Sequence, residues 1–234
     1  MSRVQPTVGI VTALEMERRW IGSTNDTAFV EVGGVGRARA EAAATRLLDC
    51  GVKALVSWGL AGGLDPSLEP GTVVIPEVVV DADGMCLRAD LGWRVRLLAK
   101  IDDCVHISTD PILHVDEVIT SPNRKRELHE RRYAAAVDME SFAVATVAQD
   151  AGVPWIVVRA VADTADHELP GAVTEICDVR GRLRVGAVLG LVFRPRLWPV
   201  LITLGRANAA AGRSMRLVWA TAGQDLALDE DLHP

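Results

Sequence analysis

Residues 136–166 read AVDMESFAVATVAQDAGVPWIVVRAVADTAD. Ala134–Val137 reads as a short apolar strand. Met139–Ala151 is amphipathic at helical spacing and stops at Gly152. Pro154–Ala160 is a continuous apolar, β-branched run, the mark of a strand buried on both faces. A strand, a helix and a strand in about thirty residues make a β-α-β unit, and this pattern returns along the chain. Outward toward the N-terminus, Thr7–Thr12 and Ala28–Val32 read as strands. Leu14–Gly22 reads as a helix between them, and Gly36 opens a second helix, Arg37–Cys50. Ala54–Trp58 is a strand running into a glycine-rich turn, Gly59–Gly63. Thr72–Val80 reads as one long strand, Val105–Thr109 as another and Pro122–Arg132 as a charged surface helix. The alternation argues for a mostly parallel sheet with helices on both faces, hence the α/β class.

The 234 residues are 49% apolar and 24% charged, which is ample for a core and excludes disorder over most of the chain. The net charge of −6 argues against a dedicated nucleic-acid binder. That total conceals a split. Residues 1–178 carry 17 Lys and Arg against 27 Asp and Glu, 179–224 carry 8 Arg and no acid, and 225–234 carry four acids. The division suggests an acidic body over 1–178, a basic apolar helical extension over 179–224 and a frayed acidic tail over 225–234. Ala172–Cys177 reads as a short helix before the extension.

The start has no signal-peptide pattern, and Cys50, Cys86, Cys104 and Cys177 form neither a zinc spacing nor a disulfide framework, so a reduced cytoplasmic setting is expected. The longest uncharged runs of the extension, Val185–Phe193 and Leu197–Gly205, have nine residues each, too few to span a bilayer.

In open α/β sheets ligands bind beyond the carboxyl ends of the strands. The acids following strands there are Glu17, Glu140 and Asp163. Each has a plain structural role available: a solvated helix residue for Glu17, a helix-dipole partner for Glu140 and a loop cap for Asp163. Jointly at one sheet edge they form a candidate site.

Six segments, Gly9–Glu17, Gly33–Arg37, Trp58–Leu64, Pro70–Pro76, Ala136–Ser141 and Val157–Asp166, have an order and spacing that resembles the nucleoside phosphorylase/nucleosidase superfamily. The likeness is greatest to its methylthioadenosine/S-adenosylhomocysteine nucleosidase branch. The resemblance implies a three-layer α/β/α sandwich around a mixed, partly barrel-like sheet. It implies cleavage of a nucleoside N-glycosidic bond, with no metal or organic cofactor and with phosphate an alternative nucleophile to water. By motif, Glu17 would activate water, Glu140 would bind the ribose hydroxyls beside Met139, Asp163 would protonate the purine and Arg159 would support that loop. Leu60 and Gly62 fall in the glycine turn that faces the substrate, and Val118 and Ile119 fall where the base pocket is lined. Members usually assemble as homo-oligomers, dimers at least.

Two departures stand out. The family's glycine turn usually carries a small hydroxyl residue where this chain has Leu60, and Ser57 and Trp58 stand where many phosphorylases have an arginine. Arg18, Arg19 and Arg37 are then the candidate phosphate ligands, with solvated surface arginines as the plain reading. The stretch between Val80 and Val105, which helps close the 5′ side of the substrate, looks short and suggests a large 5′ substituent. The pattern from Leu183 through Phe193-Arg-Pro-Arg-Leu-Trp-Pro to Leu204 is also similar to the extension of the hopanoid-associated phosphorylases. That likeness implies a lipid-linked adenine nucleoside, adenosylhopane, and contact of residues 179–224 with the inner face of a membrane. The competing reading of the same segment is a buried hairpin or an oligomer interface. A soluble methylthioadenosine/adenosylhomocysteine nucleosidase and a non-catalytic nucleoside-binding protein are the competing expectations.

Overall fold

The computed structural model describes residues 7–24, 28–168 and 198–228. Ten strands form one mixed sheet: β1 (Val8–Thr12), β2 (Ala28–Val32), β3 (Ala54–Gly63), β4 (Val73–Val74), β5 (Val78–Val80), β6 (Cys86–Arg88), β7 (Ile107–Ser108), β8 (Ile112–His114), β9 (Ala136–Asp138) and β10 (Trp155–Asp163). The helices are α1 (Glu15–Arg18), α2 (Arg37–Asp49), α3 (Leu91–Ile101), α4 (Pro122–Arg132), α5 (Ser141–Asp150) and α6 (Trp198–Ala222). The main path runs β6-β5-β8-β9-β3-β10-β4-β7, with β1 between β3 and β2. The β4–β10, β3–β9 and β5–β6 pairs are antiparallel and the other six pairs are parallel, so the sheet is mixed and mostly parallel.

Side chains alternate across the pleat and divide the core into two layers. Val8, Ile10, Val56, Trp58, Ile156 and Val158 face α3 and α6. Val11, Leu55, Val157 and Val161 face α2 and α5, whose contacting residues are mostly alanines that let the helices approach closely. Helices thus cover both faces of a mixed sheet, as the fold class requires.

β3 organises the site. Its first half pairs with β1 from Ala54 to Ser57, and its end pairs with β9 at Gly62 and Gly63, both on the edge away from β10. Between these two neighbours the edge of β3 is open, and the chain leaving β1 and the chain leaving β9 both turn there.

Several expected elements are corrected. The glycine stretch 59–63 is strand, not turn. Its glycines serve close approach: a Cβ on Gly59 would stand 2.5 Å from Glu17 Oε1. The expected strand Thr72–Val80 is two strands on different parts of the sheet, broken at Pro76, which has no N–H for the ladder. The Leu14–Gly22 helix shrinks to one turn. Residues 81–106 contain β6 and α3, neither anticipated, although Trp93, Leu97 and Ile101 recur at helical spacing and are fully buried.

Of the two readings open for 179–224, α6 takes the buried one over its described part. Ala207, Ala211, Met215, Val218 and Ala222 form a buried stripe at i+3 and i+4 spacing against the sheet, while Arg206, Arg213 and Arg216 are exposed. Trp219 meets Trp58 edge-on at 6.1 Å. Residues 225–228 are not frayed: Leu226 is buried, and its carbonyl accepts a 2.7 Å hydrogen bond from Trp93 Nε1. Ala172–Cys177, residues 179–197 and 229–234 lie outside the described residues. No helix among those described is long and apolar enough to cross a membrane.

Candidate active site

Glu17 lies in the single turn of α1 and is 2% exposed. Oε2 accepts from the Ala13 and Leu14 amides at 2.9 and 2.8 Å, and Oε1 from the Leu60 amide at 2.9 Å. The last donor belongs to the open edge of β3, so the carboxylate satisfies an amide that no strand reaches. Burial pushes Glu17 above its ordinary carboxylate value, against the pull of Arg159 and the three amides.

Arg159, on β10, is the cation of this cluster and is 1% exposed. Nη2 is ion-paired to Asp138 Oδ2 at 2.8 Å, donates to Ser57 Oγ at 2.7 Å and stands 3.4 Å from Glu140 Oε2. Nη1 reaches the Leu60 carbonyl at 3.3 Å and Nε reaches Ser141 Oγ at 3.3 Å. Burial works against its charge, and Asp138, Glu140 and Glu17 more than reverse that effect, holding its pKa above the ordinary arginine value.

Glu140 sits at the start of α5. Its Oε1 accepts from the Gly36 amide at 2.9 Å, tying α5 to the N-terminus of α2. Burial pushes Glu140 up to about 7, with Asp138 and Glu17 adding to the effect and Arg159 and the Gly36 amide opposing it. One guanidinium therefore faces three buried carboxylates, and the cluster is electronegative.

Asp163 ends β10 past a register shift and lies across from Gly62. A Cβ on Gly62 would stand 3.3 Å from Asp163 Oδ1. Oδ2 is ion-paired to the ammonium of Lys125. Burial pushes Asp163 upward, and Lys125 is the largest opposing influence.

Met139 borders a groove of about 850 Å³ whose other walls include Glu15, Val35, Arg37 and Asp116. Of the sequence-predicted site residues, only Met139 and the phosphate candidate Arg37 do so. Val118 is 47% exposed, and Ile119 packs with Leu64, Leu113 and Leu128, so neither borders this groove. The phosphate candidates Arg18, Arg19 and Arg37 are exposed, and Arg37 lies over the Phe142 ring at 5.1 Å. Four participants escaped the sequence reading: Asp138, Ser57, Ser141 and Lys125. Lys125 leaves one trace, since it stands three residues before Leu128, the one apolar residue of α4, and so shares its face.

Buried carboxylates at the carboxyl ends of strands, beside an open groove, are the arrangement of an α/β enzyme. The family model described as Phosphorylase superfamily matches residues 12–184, and the chain belongs to that superfamily. Among solved structures it is similar to the 5′-methylthioadenosine/S-adenosylhomocysteine nucleosidase of Helicobacter pylori. The identity is 21% over 69% of this chain and 86% of that one, with a TM-score of 0.64. A mutant of that enzyme with 5′-methylthioadenosine in its active site matches at 20% identity over 70% and 87%, TM-score 0.63. The futalosine hydrolase of Helicobacter pylori strain 26695 matches at 20% over 68% and 88%, TM-score 0.62. At these identities the likeness is one of fold.

Proposed function

We propose that this enzyme hydrolyses the N-glycosidic bond of an adenine nucleoside. The observation that carries the reading is the electronegative cluster around Arg159, set across β3 from Asp163. As the C1′–N9 bond breaks, positive charge grows on the sugar, and Glu17, Glu140 and Asp138 supply a preorganised negative field for it. Asp163 delivers a proton to purine N7, so the base departs neutral, and a carboxyl raised by burial suits that role. Glu17 takes the proton from the attacking water. Glu140 receives the ribose hydroxyls, with Met139 against the sugar.

Water is favoured over phosphate by charge. A phosphate dianion beside Glu17 would meet three carboxylates, while the donors of Arg159 are directed at Asp138, Ser57, Ser141 and the Leu60 carbonyl. For the 5′ group we favour a large substituent, with adenosylhopane as the specific candidate. The groove beside Met139 has room for more than a methylthio group. The packing of α6 favours the second reading, a methylthioadenosine/adenosylhomocysteine nucleosidase, because Ala211, Met215, Val218 and Ala222 are buried in the core and are not available to a membrane. Pairing of two copies would cover the exposed Leu91 and Val95 of α3.

An adenine-release assay on methylthioadenosine, adenosylhomocysteine and vesicle-borne adenosylhopane, with and without phosphate, tests these statements. Release without phosphate from any of them is expected. Turnover of the soluble nucleosides with none of the lipid one replaces the first 5′ assignment by the second. Strict dependence on phosphate overturns hydrolysis.

A further inference from the structure

The reaction as drawn leaves Lys125 without a role. α4 is charged at most positions, and only Lys125 and Leu128 are buried. The Lys125 side chain is 0% exposed. An ammonium enclosed in this way is tolerated only when its hydrogens meet acceptors and its charge a counter-charge. Here three acceptors meet it: Asp163 Oδ2, the Thr164 carbonyl at 2.7 Å and the His167 carbonyl at 3.3 Å. All three belong to the end of β10 and the segment just past it. Asp163 Oδ1 accepts no hydrogen bond among the described residues and is the carboxyl oxygen nearest Gly62.

We propose that Lys125 is the positioning residue of the acid: it holds Asp163 by Oδ2, leaves Oδ1 to face the base, and sets the pH at which Asp163 gives up its proton. This rests on the hydrolytic reading above. In the step, the Oδ1 proton passes to N7, the C1′–N9 electron pair goes to the base, the water oxygen bonds to C1′, and the water proton goes to Glu17. Lys125 keeps its own proton throughout and faces the carboxylate anion that remains. Because it stabilises that anion, it makes Asp163 a stronger acid than burial alone would. The charged and titratable groups facing Asp163 are Lys125 from α4 and His167 from the segment after β10. The His167 ring lies 3.1 Å from Thr164 Oγ1. Gly62 of β3 and Val137 of β9, which adjoin the carboxyl, carry no charge.

The test compares wild type, Lys125→Met and Lys125→Arg by kcat and KM against pH, on whichever adenine nucleoside the wild type cleaves. The Asp163 carboxyl of the unliganded proteins is titrated in parallel by carbon-13 NMR. For Lys125→Met we expect kcat at neutral pH to fall about tenfold or more with KM nearly unchanged. We also expect the alkaline limb and the Asp163 titration to move up together by about one unit or more. Lys125→Arg, which restores the charge, brings the limb back toward wild type. An equal loss at every pH with the Asp163 titration unmoved overturns the proposal. Should Lys125→Met not fold, nitrogen-15 NMR of wild type decides. The Lys125 ammonium resonance must follow the pKa of the Asp163 carboxyl, and indifference to it overturns the proposal. A wild type that releases no adenine would sink the hydrolytic reading alone, because both NMR measurements are made without substrate.

Discussion

Two buried cations stand on either side of β3, and their surroundings differ. Arg159 is shared by Asp138, Glu140 and Glu17 and by two serine hydroxyls, whereas Lys125 has one carboxylate and two backbone carbonyls. Three acids on one guanidinium leave an excess of negative charge, and burial with that crowding lifts Glu140 to about 7. One acid on one ammonium is a matched pair. In the proposed reaction the first arrangement would favour a cationic sugar and the second would regulate an acid, so the same device, a buried ion pair, would do two chemically different things according to its stoichiometry.

The largest effect that would break this contrast comes from removing the reacting acids. Asp163→Asn and Glu17→Gln should each lower kcat for adenine release by about 10²–10⁴-fold in steady-state assays. If Glu17→Gln retained full activity, the water-activating role of the crowded cluster would be wrong. Next comes Arg159→Met, which strands three buried carboxylates. Urea titration should show a loss of about 3–5 kcal/mol, with wild-type stability excluding the shared-cation description.

The crowded cluster also fixes a pH dependence. Glu140 binds its proton more tightly folded than unfolded, and Glu17 and Asp163 are raised in the same direction. Between the ordinary glutamate value of 4.5 and about 7 these acids therefore hold more protons in the native state, and their contribution to stability falls as pH rises through that window, opposed by His114, whose pKa burial lowers. For Glu140 the fall is at most about 3 kcal/mol, and Glu140→Gln should flatten it in thermal melts recorded from pH 4 to 8. A Glu140→Gln variant with the same pH slope as wild type would contradict the raised pKa of Glu140.

The smallest effects compare two glycines of β3. Gly59→Ala places a Cβ 2.5 Å from Glu17 Oε1 and 2.6 Å from Arg159 Nη1, against groups held by several hydrogen bonds. It should cost about 1–3 kcal/mol in denaturant melts. Gly62→Ala meets Val137 at 3.2 Å and Asp163 Oδ1 at 3.3 Å, which small shifts relieve, and should cost less. Equal costs would mean that the two sides of β3 are packed alike.

Much of this was legible residue by residue. Glu17, Glu140 and Asp163 follow apolar runs that read as buried strands; the carboxyl ends of the parallel β1 and β10 share one edge, whereas β9 is antiparallel to β3 and its register, with Val137 opposite Gly62, brings Glu140 there. The glycines of 59–63 were visible, but their reason was not. They read as turn formers, whereas they are strand residues cleared of side chains so that Glu17, Arg159 and Asp163 can lie against the backbone. Lys125 was hidden because a buried lysine inside PNRKRELHERR looks like its solvated neighbours. The burial of α6 was one of two options because an apolar stripe fits a sheet or a membrane equally well.

The sequence by itself determined the α/β class, the strands that carry the acids and the acids themselves, since periodicity and residue type are local properties. Only the tertiary structure decided which cation each acid meets, that β3 is left open between β1 and β9, and that α6 closes the core. Those are outcomes of long-range packing, where residues as distant as Glu17 and Leu60, or Lys125 and Asp163, become neighbours because burying apolar faces brings their backbones together.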